Sequence, residues 1–478
     1  MRRTVLAVLP FLVVGESSAQ QVRGSLSSLA RYIEIRPIIA DTVDIALTTI
    51  DDNGRPIFEG RPVFCAAQTC TFYRPADMAS AVALAHDLAA TAFGFGVEGA
   101  SAVIYLRARQ DLGGDFVWPR SDDAFDAVLA YAELAREDFR VRLGRQRNIT
   151  GLGFNSFDGL SGTYQALDAL RVEAYGGRSL ARALEEPHRE ALGPVESFIP
   201  DNNAWLFGAA AELNANQIAG SVRYQREIWG DRAALVSERA AIDVRSNAWR
   251  WASIEAAADY DVAYNRLGKA HLSLRRQLFD NELSLDVTAR RYLPFFELWT
   301  IWGAFSPVPY HEFEAGAGWR ANQRTVLDAR AGYRRYSDTD AEVFIAPAAD
   351  ESWRLTLRAR RQLSDPLTID AEYRVETGFG AFLSSGEASV AWAASERLQA
   401  GIYGTAFQQI LEFRTGEAAV LGLGGHVEWQ ITSALTATGQ ATLYRQSFDN
   451  RPSALNWTQK RASLGVDWSF GRDPGVAQ

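Results

Sequence analysis

The chain has 478 residues, a formal net charge of −9 and 47% hydrophobic residues. The acidic balance argues against a nucleic-acid partner, and beyond the first residues no stretch approaches the ~18 consecutive apolar residues of a membrane-crossing helix. The length alone would suggest roughly three soluble domains of about 150 residues, yet no linker rich in Pro, Gly or Ser divides the chain, so one continuous architecture is expected.

At the start, Arg2 and Arg3 precede an apolar run from Val5 to Val14, and the small residues Ser17 and Ala19 follow. That is the layout of an export signal cleaved after Ala19, giving a signal segment 1–19 and a mature chain from Gln20. Cys65 and Cys70, the only cysteines, lie in CAAQTC, and an oxidising compartment would let them close a small disulfide ring in the first external loop. Two thiols without a nearby His make half a zinc site at best, so neither a metal nor a cofactor is expected.

From about Arg23 the chain alternates apolar and polar residues in runs of ten to fourteen, the period of strands with one dry and one wet face. In 353–363, Trp353, Leu355, Leu357 and Ala359 oppose Arg354, Thr356, Arg358 and Arg360; in 367–376, Leu367, Ile369, Ala371, Tyr373 and Val375 oppose Thr368, Asp370, Glu372, Arg374 and Glu376. Such runs exceed the ~5–6 residues of a soluble strand and match the ~9–11 needed to cross a bilayer at a tilt. Brief turns at 97–100, 214–217, 279–282, 321–324 and 432–435 alternate with longer polar connections such as 39–80 and 181–202.

Counting runs from 23–38 to 460–470 predicts an all-β fold: a closed antiparallel transmembrane barrel of 22 strands over residues 20–470, with a short tail at 471–478. Both chain ends then lie on the periplasmic side. The stretch 235–279 is where a hairpin is most easily miscounted, which would leave twenty or eighteen strands. The first strand follows the signal segment so closely that no plug domain is expected. A secreted sandwich or propeller would share the alternation, but not strands of this length and number.

The last strand, Ser463 to Phe470, places Leu464, Val466, Trp468 and Phe470 on one side and Arg461, Ser463 and Asp467 on the other. Gly465, Trp468 and Phe470 resemble the C-terminal signal read by the outer-membrane assembly machinery, although eight residues follow Phe470. In FRVRLGRQR (139–147), Phe139, Val141 and Leu143 face lipid, sending Arg140, Arg142 and Gln146 inward. The same parity sends Arg171, Glu173, Arg223, Arg290, Arg330, Arg334, Arg354, Arg358, Arg360 and Arg374 into the lumen, with Glu227, Asp286, Asp328, Asp370, Glu372 and Glu376 beside them. These charges either form interstrand ion-pair ladders or leave a surplus of arginine that favours anions. Lysine occurs only at Lys269 and Lys460, so part of the arginine bias reflects genomic composition.

FRVRLGRQR, then Phe157-Asp158-Gly159-Leu160, then Leu170 to Gly177 resembles the alginate-export family of outer-membrane porins, which carry a similar Gly-Arg-Gln strand, aromatic-Asp-Gly step and Gly-ended strand in this order. The resemblance covers about 40 residues and implies a wide arginine-lined barrel conducting a hydrophilic, anionic solute.

Segment 295–306, FFELWTIWGAFS, is apolar enough for Phe295, Trp299 and Trp302 to join an aromatic girdle or for the segment to fold inward as a constriction. The histidines are His86, His188, His271, His311 and His426, and no Asp or Asn at a suitable spacing orients any of them for a catalytic triad. The expected function is therefore a passive outer-membrane pore for small hydrophilic solutes, not an enzyme. The alternative is a non-conducting structural or adhesive barrel that binds partners through its external loops.

Overall fold

The computed structural model describes residues 21–36, 38–50, 54, 56–59, 61–113, 125–180, 204–230, 235–249, 251–293, 309–337, 350–378, 381–410, 417–448 and 456–471. Every strand pairing among them is antiparallel. The chain opens with β1 (Gln21–Ile35), then six short strands: β2 (Ile38–Asp44), β3 (Thr49–Ile50), β4 (Pro56–Phe58), β5 (Arg61–Pro62), β6 (Phe64–Ala66) and β7 (Thr69–Pro75). The wall continues with β8 (Ala79–Phe93), β9 (Ala100–Gly113), β10 (Phe125–Ala135), β11 (Phe139–Thr150), β12 (Gly153–Leu167), β13 (Leu170–Ser179) and β14 (Ala204–Ala215). It runs on through β15 (Ile218–Trp229), β16 (Leu235–Ser246), β17 (Ser253–Asp261), β18 (Arg266–Leu278), β19 (Leu283–Tyr292), β20 (Tyr310–Asn322) and β21 (Thr325–Tyr336). The circuit ends with β22 (Glu351–Ser364), β23 (Leu367–Gly378), β24 (Ala381–Ser395), β25 (Leu398–Ile410), β26 (Glu417–Gln430), β27 (Leu435–Phe448) and β28 (Trp457–Phe470).

β1 and β8 to β28 form one 22-stranded sheet. It closes because β1 pairs with β8, from Gln21 opposite Phe93, and with β28, from Gly24 opposite Phe470. An even strand count puts Gln21 and Phe470 at one end, where the turns are short; the long connections leave from the other. The predicted count holds, and 235–279 resolves into β16, β17 and β18 as expected. No described helix is long and apolar enough to cross a membrane.

Alternation decides which face meets lipid. Leu143 stands opposite Leu160, and Tyr164 opposite Val172, all on the outside and all exposed. Trp319, Trp392, Trp429 and Trp468 point outward near the short-turn end, and Phe313, Tyr333 and Trp353 outward toward the other. Two aromatic belts bounding an apolar band are what a bilayer selects. In the closing strand the Trp468 and Phe470 rings lie 5.3 Å apart.

Two features were not expected. The loop between β1 and β8 folds into two three-stranded sheets, β2–β7–β6 and β3–β4–β5, around Val43, Val63, Cys70 and Phe72. Cys65 and Cys70 sit opposite each other on β6 and β7 and are disulfide-bonded. The second is that β11 and β12 run past the strands expected at 138–147 and 158–167, β11 on to Thr150 and β12 back to Gly153. The signal segment 1–19, the apolar segment 295–306, the whole of the 181–202 connection and the tail beyond Gly471 fall outside the described residues.

Candidate functional site

The lumen is the only surface to which the predicted polar residues all belong, and the structure brings them together as a ladder of ion pairs. All eleven predicted lumen arginines lie within 4.0 Å of a carboxylate. On β10 and β11, Arg140 and Arg142 share Glu133, at 3.6 and 2.6 Å. Arg171 and Arg223 share Glu212, and Arg223 also meets Glu173 at 3.4 Å. A denser knot spans β19 to β23, where Arg290, Arg330, Arg334 and Arg354 interleave with Asp286, Glu312, Glu314 and Glu376. Beyond it Arg358 and Arg360 converge on Asp370, and Arg374 pairs with Glu372. Most partners come from the adjacent strand or the next one over, where opposite charges are close, and Arg374–Glu372 lies along β23.

The pairs are not symmetric toward the channel. Arg290 is 38% exposed and its partner Glu312 2%; Arg140 is 49% exposed against 17% for Glu133, and Arg360 57% against 23% for Asp370. In these pairs the shorter carboxylates lie nearer the wall and the longer guanidinium groups reach over them toward the water, whereas Arg223 and Arg334 lie as deep as Glu212 and Glu376 or deeper. At Arg140, Arg290 and Arg360 the group nearer the lumen water is therefore the cation and the one beneath it the anion.

Gln146 belongs to a different structure, which Glu173 of the ladder touches by accepting from the Asn148 amide at 3.4 Å. Gln146 lies on the inner side but is buried: its amide donates to the carbonyls of Arg142 and Gly159, at 3.2 and 3.0 Å, and accepts from Ser161. It is the root of a hairpin. Above Arg145, β11 leaves β10, because β10 pairs with β11 only from Ala130–Arg145 to Ala135–Arg140. Gly144, with φ +128, makes the bend, in a region where a side chain would be strained. Arg145 closes the seam that opens, donating to the Ala127 carbonyl at 3.1 Å and gripping Asp158 at 2.9 and 3.0 Å. A backbone carbonyl freed within a membrane wall needs such a partner.

The released hairpin, residues 147–156, lies against the inner wall three to four strands away. Arg239 donates to the Leu152 carbonyl at 2.5 Å while holding Asp259 at 2.9 Å. Asn155 and Gln225 exchange two hydrogen bonds, at 2.9 and 3.1 Å, and Tyr175 donates to Gln225 at 3.0 Å. Beneath them Phe157, Tyr175 and Leu206 form a buried apolar cluster inside the lumen, with Phe157 and Tyr175 stacked at 5.6 Å. The hairpin thus narrows the channel from one side. Its root is built by the residues that carried the family resemblance: Gly144 faces Gly159, Arg145 faces Asp158, and Gln146 faces Phe157. The Gly-Arg-Gln and Phe-Asp-Gly pair was the one signal of the bend in the sequence.

Other chemistry is sparse. Among the described residues no cluster could hold a metal ion. His271 and Glu255 lie 3.8 Å apart, and Ser28 and His86 form a 2.8 Å hydrogen bond. Ser28 and His86 face each other across β1 and β8 on the outer side, and among the described residues no third group is hydrogen-bonded to that ring.

These features define a class: a closed transmembrane β-barrel with a hydrated, ion-paired lumen and an inward constriction, an outer-membrane architecture. No protein-family model matches the sequence, nor does any curated protein. Among solved structures the chain is similar to a BenF-like porin from Pseudomonas fluorescens Pf-5, at 9% identity and a TM-score of 0.40 over 95% of this chain and 99% of that one. It is also similar to the siderophore receptor PirA from Pseudomonas aeruginosa, at 11% identity and 0.49 over 94% and 80%, and to Pseudomonas aeruginosa OccK3 (OpdO), at 10% and 0.37 over 94% and 96%.

Proposed function

We infer that the protein is a passive pore for small hydrophilic solutes that favours anions, and that it performs no chemistry on them. The carrying observation is the layered lumen: guanidinium groups such as Arg140, Arg290 and Arg360 stand further into the water than the carboxylates that pair with them. Selectivity follows the local field at the narrowest point rather than net charge, and arginine lining favours anions. The same reading takes in the likeness to alginate-export porins, whose motif residues build the constricting hairpin here, and the terminal Gly465, Trp468 and Phe470 as the handle for the assembly machinery.

Planar-bilayer recording of pure folded protein tests it. Channels with a reversal potential favouring anions are expected in a salt gradient. Replacing Arg140, Arg142, Arg358 and Arg360 together by Gln should shift that potential toward cations. Silence of the folded protein would instead support a structural or adhesive barrel acting through external loops such as the disulfide-closed β6–β7 hairpin.

A further inference from the structure

The outer face carries a second cationic feature, separate from the lumen. Arg291 on β19 stands opposite His311 on β20, and His311 opposite Arg335 on β21. The row directly below it, toward the short-turn end, is Ala289, Phe313, Tyr333 and Trp353. Phe313 and Trp353 are exposed, and the Tyr333 and Trp353 rings lie 4.8 Å apart. Aromatic rings of such a belt sit at the edge of the hydrocarbon, so the next row outward lies at headgroup level. There, three groups able to carry positive charge occupy adjacent strands about 5 Å apart.

Unlike the lumen arginines, Arg291 and Arg335 have no ion pair or hydrogen bond among the described residues. The acid on the same row, Glu351, is opposite Arg335 but forms no ion pair with it among the described residues. Arg291 and His311 also line one end of a groove of about 600 Å³ on the outer wall. Its apolar floor is set by Ile242, Val244, Ala256, Ala258, Ala270 and Leu272. Ala270, Ala258 and Ile242 continue the Arg291 row across β18 to β16, and because the strands tilt that row descends from ten residues above the short-turn end at Arg335 to four at Ile242, so the small alanines leave a trough leading from Arg291 toward the hydrocarbon zone.

From this we propose that the β16–β21 outer face binds a phosphorylated, multiply acylated lipid of the outer leaflet. Its phosphates would seat on Arg291, His311 and Arg335, and an acyl chain would lie in the alanine-floored groove. Guanidinium groups bind phosphate oxygens through paired, charge-assisted hydrogen bonds, and a polar rim over an apolar trough matches a molecule with both parts. The site is independent of conduction, since none of these side chains points into the lumen.

The test is native mass spectrometry of the folded barrel, released from nanodiscs of phosphatidylcholine doped with bisphosphorylated lipid A. One retained lipid A is expected, with retention falling about tenfold or more in R291Q/R335Q and also in A270F, which fills the groove. R291K/R335K should retain part of the binding, and heat-modifiable gel migration and bilayer conductance should match wild type in every variant. Equal retention of a dephosphorylated analogue, or undiminished retention by R291Q/R335Q, would overturn the proposal. So would displacement of the lipid by inorganic phosphate, which would reveal an anion site without an acyl requirement.

Discussion

Glu312 shows how much a single residue of the ladder carries. Its carboxylate is 2% exposed and meets Arg290, Arg334 and Arg354, so removing its charge leaves three guanidinium groups around one missing anion. Breaking one side of a buried pair costs about 3–5 kcal/mol, because the remaining charge stays desolvated. The arginines here are partly hydrated, which lowers the expected cost of Glu312→Gln to about 2–3 kcal/mol. The variant should unfold at lower urea concentration and, with one wall carboxylate gone, conduct anions more selectively than wild type. A stability loss without any change in reversal potential would separate the ladder's structural role from the proposed selectivity. The parity of these residues was readable in the sequence because strand side chains alternate strictly. Their partners were less so: which carboxylate an arginine takes depends on register and on diagonal reach across strands, and Arg354 to Glu312 spans 42 residues of chain.

At the scale of elements, period-two alternation placed every wall strand, including those between 235 and 279, because each had to show lipid one apolar face. It missed β2 to β7, whose two to seven residues are too short to display a period. It also missed the inward hairpin, whose bend rests on one glycine among 38 in the chain and whose anchors, Gln225 and Arg239, lie 70 and 87 residues away. The hairpin can be locked in place. A Cβ built on Gly151 would lie 3.8 Å from the Cβ of Ala241, within the spacing that disulfides adopt, so G151C/A241C should crosslink on oxidation. If the hairpin is the constriction, the oxidised channel should hold one low conductance level, while replacing residues 147–156 with Asn-Gly should raise it. Equal conductance in the shortened and wild-type proteins would show that the narrowest point lies elsewhere.

For the whole molecule, the net charge of −9 is compatible with the proposed anion preference only if the field is set by layering rather than by totals. Guanidinium groups over their carboxylates, as at Arg140, Arg290 and Arg360, act as a patch of dipoles. Its field is strong at the surface and falls off faster than that of an unpaired ring of charge. The preference should therefore be confined to solutes that pass close to the wall, which the inward hairpin enforces from one side by narrowing the lumen. It should also be sensitive to salt, since the Debye length contracts from about 10 Å at 0.1 M to about 3 Å at 1 M, comparable to the 2.9 Å of the Arg360–Asp370 pair. Reversal potentials measured at a fixed concentration ratio, but with mean salt raised from 0.1 M to 1 M, should move steadily toward zero. The quadruple Arg→Gln protein should start nearer zero and move less. A preference that persists unchanged at 1 M would point to a binding site for a specific anion inside the pore, and would replace the layered-field account with one of recognition.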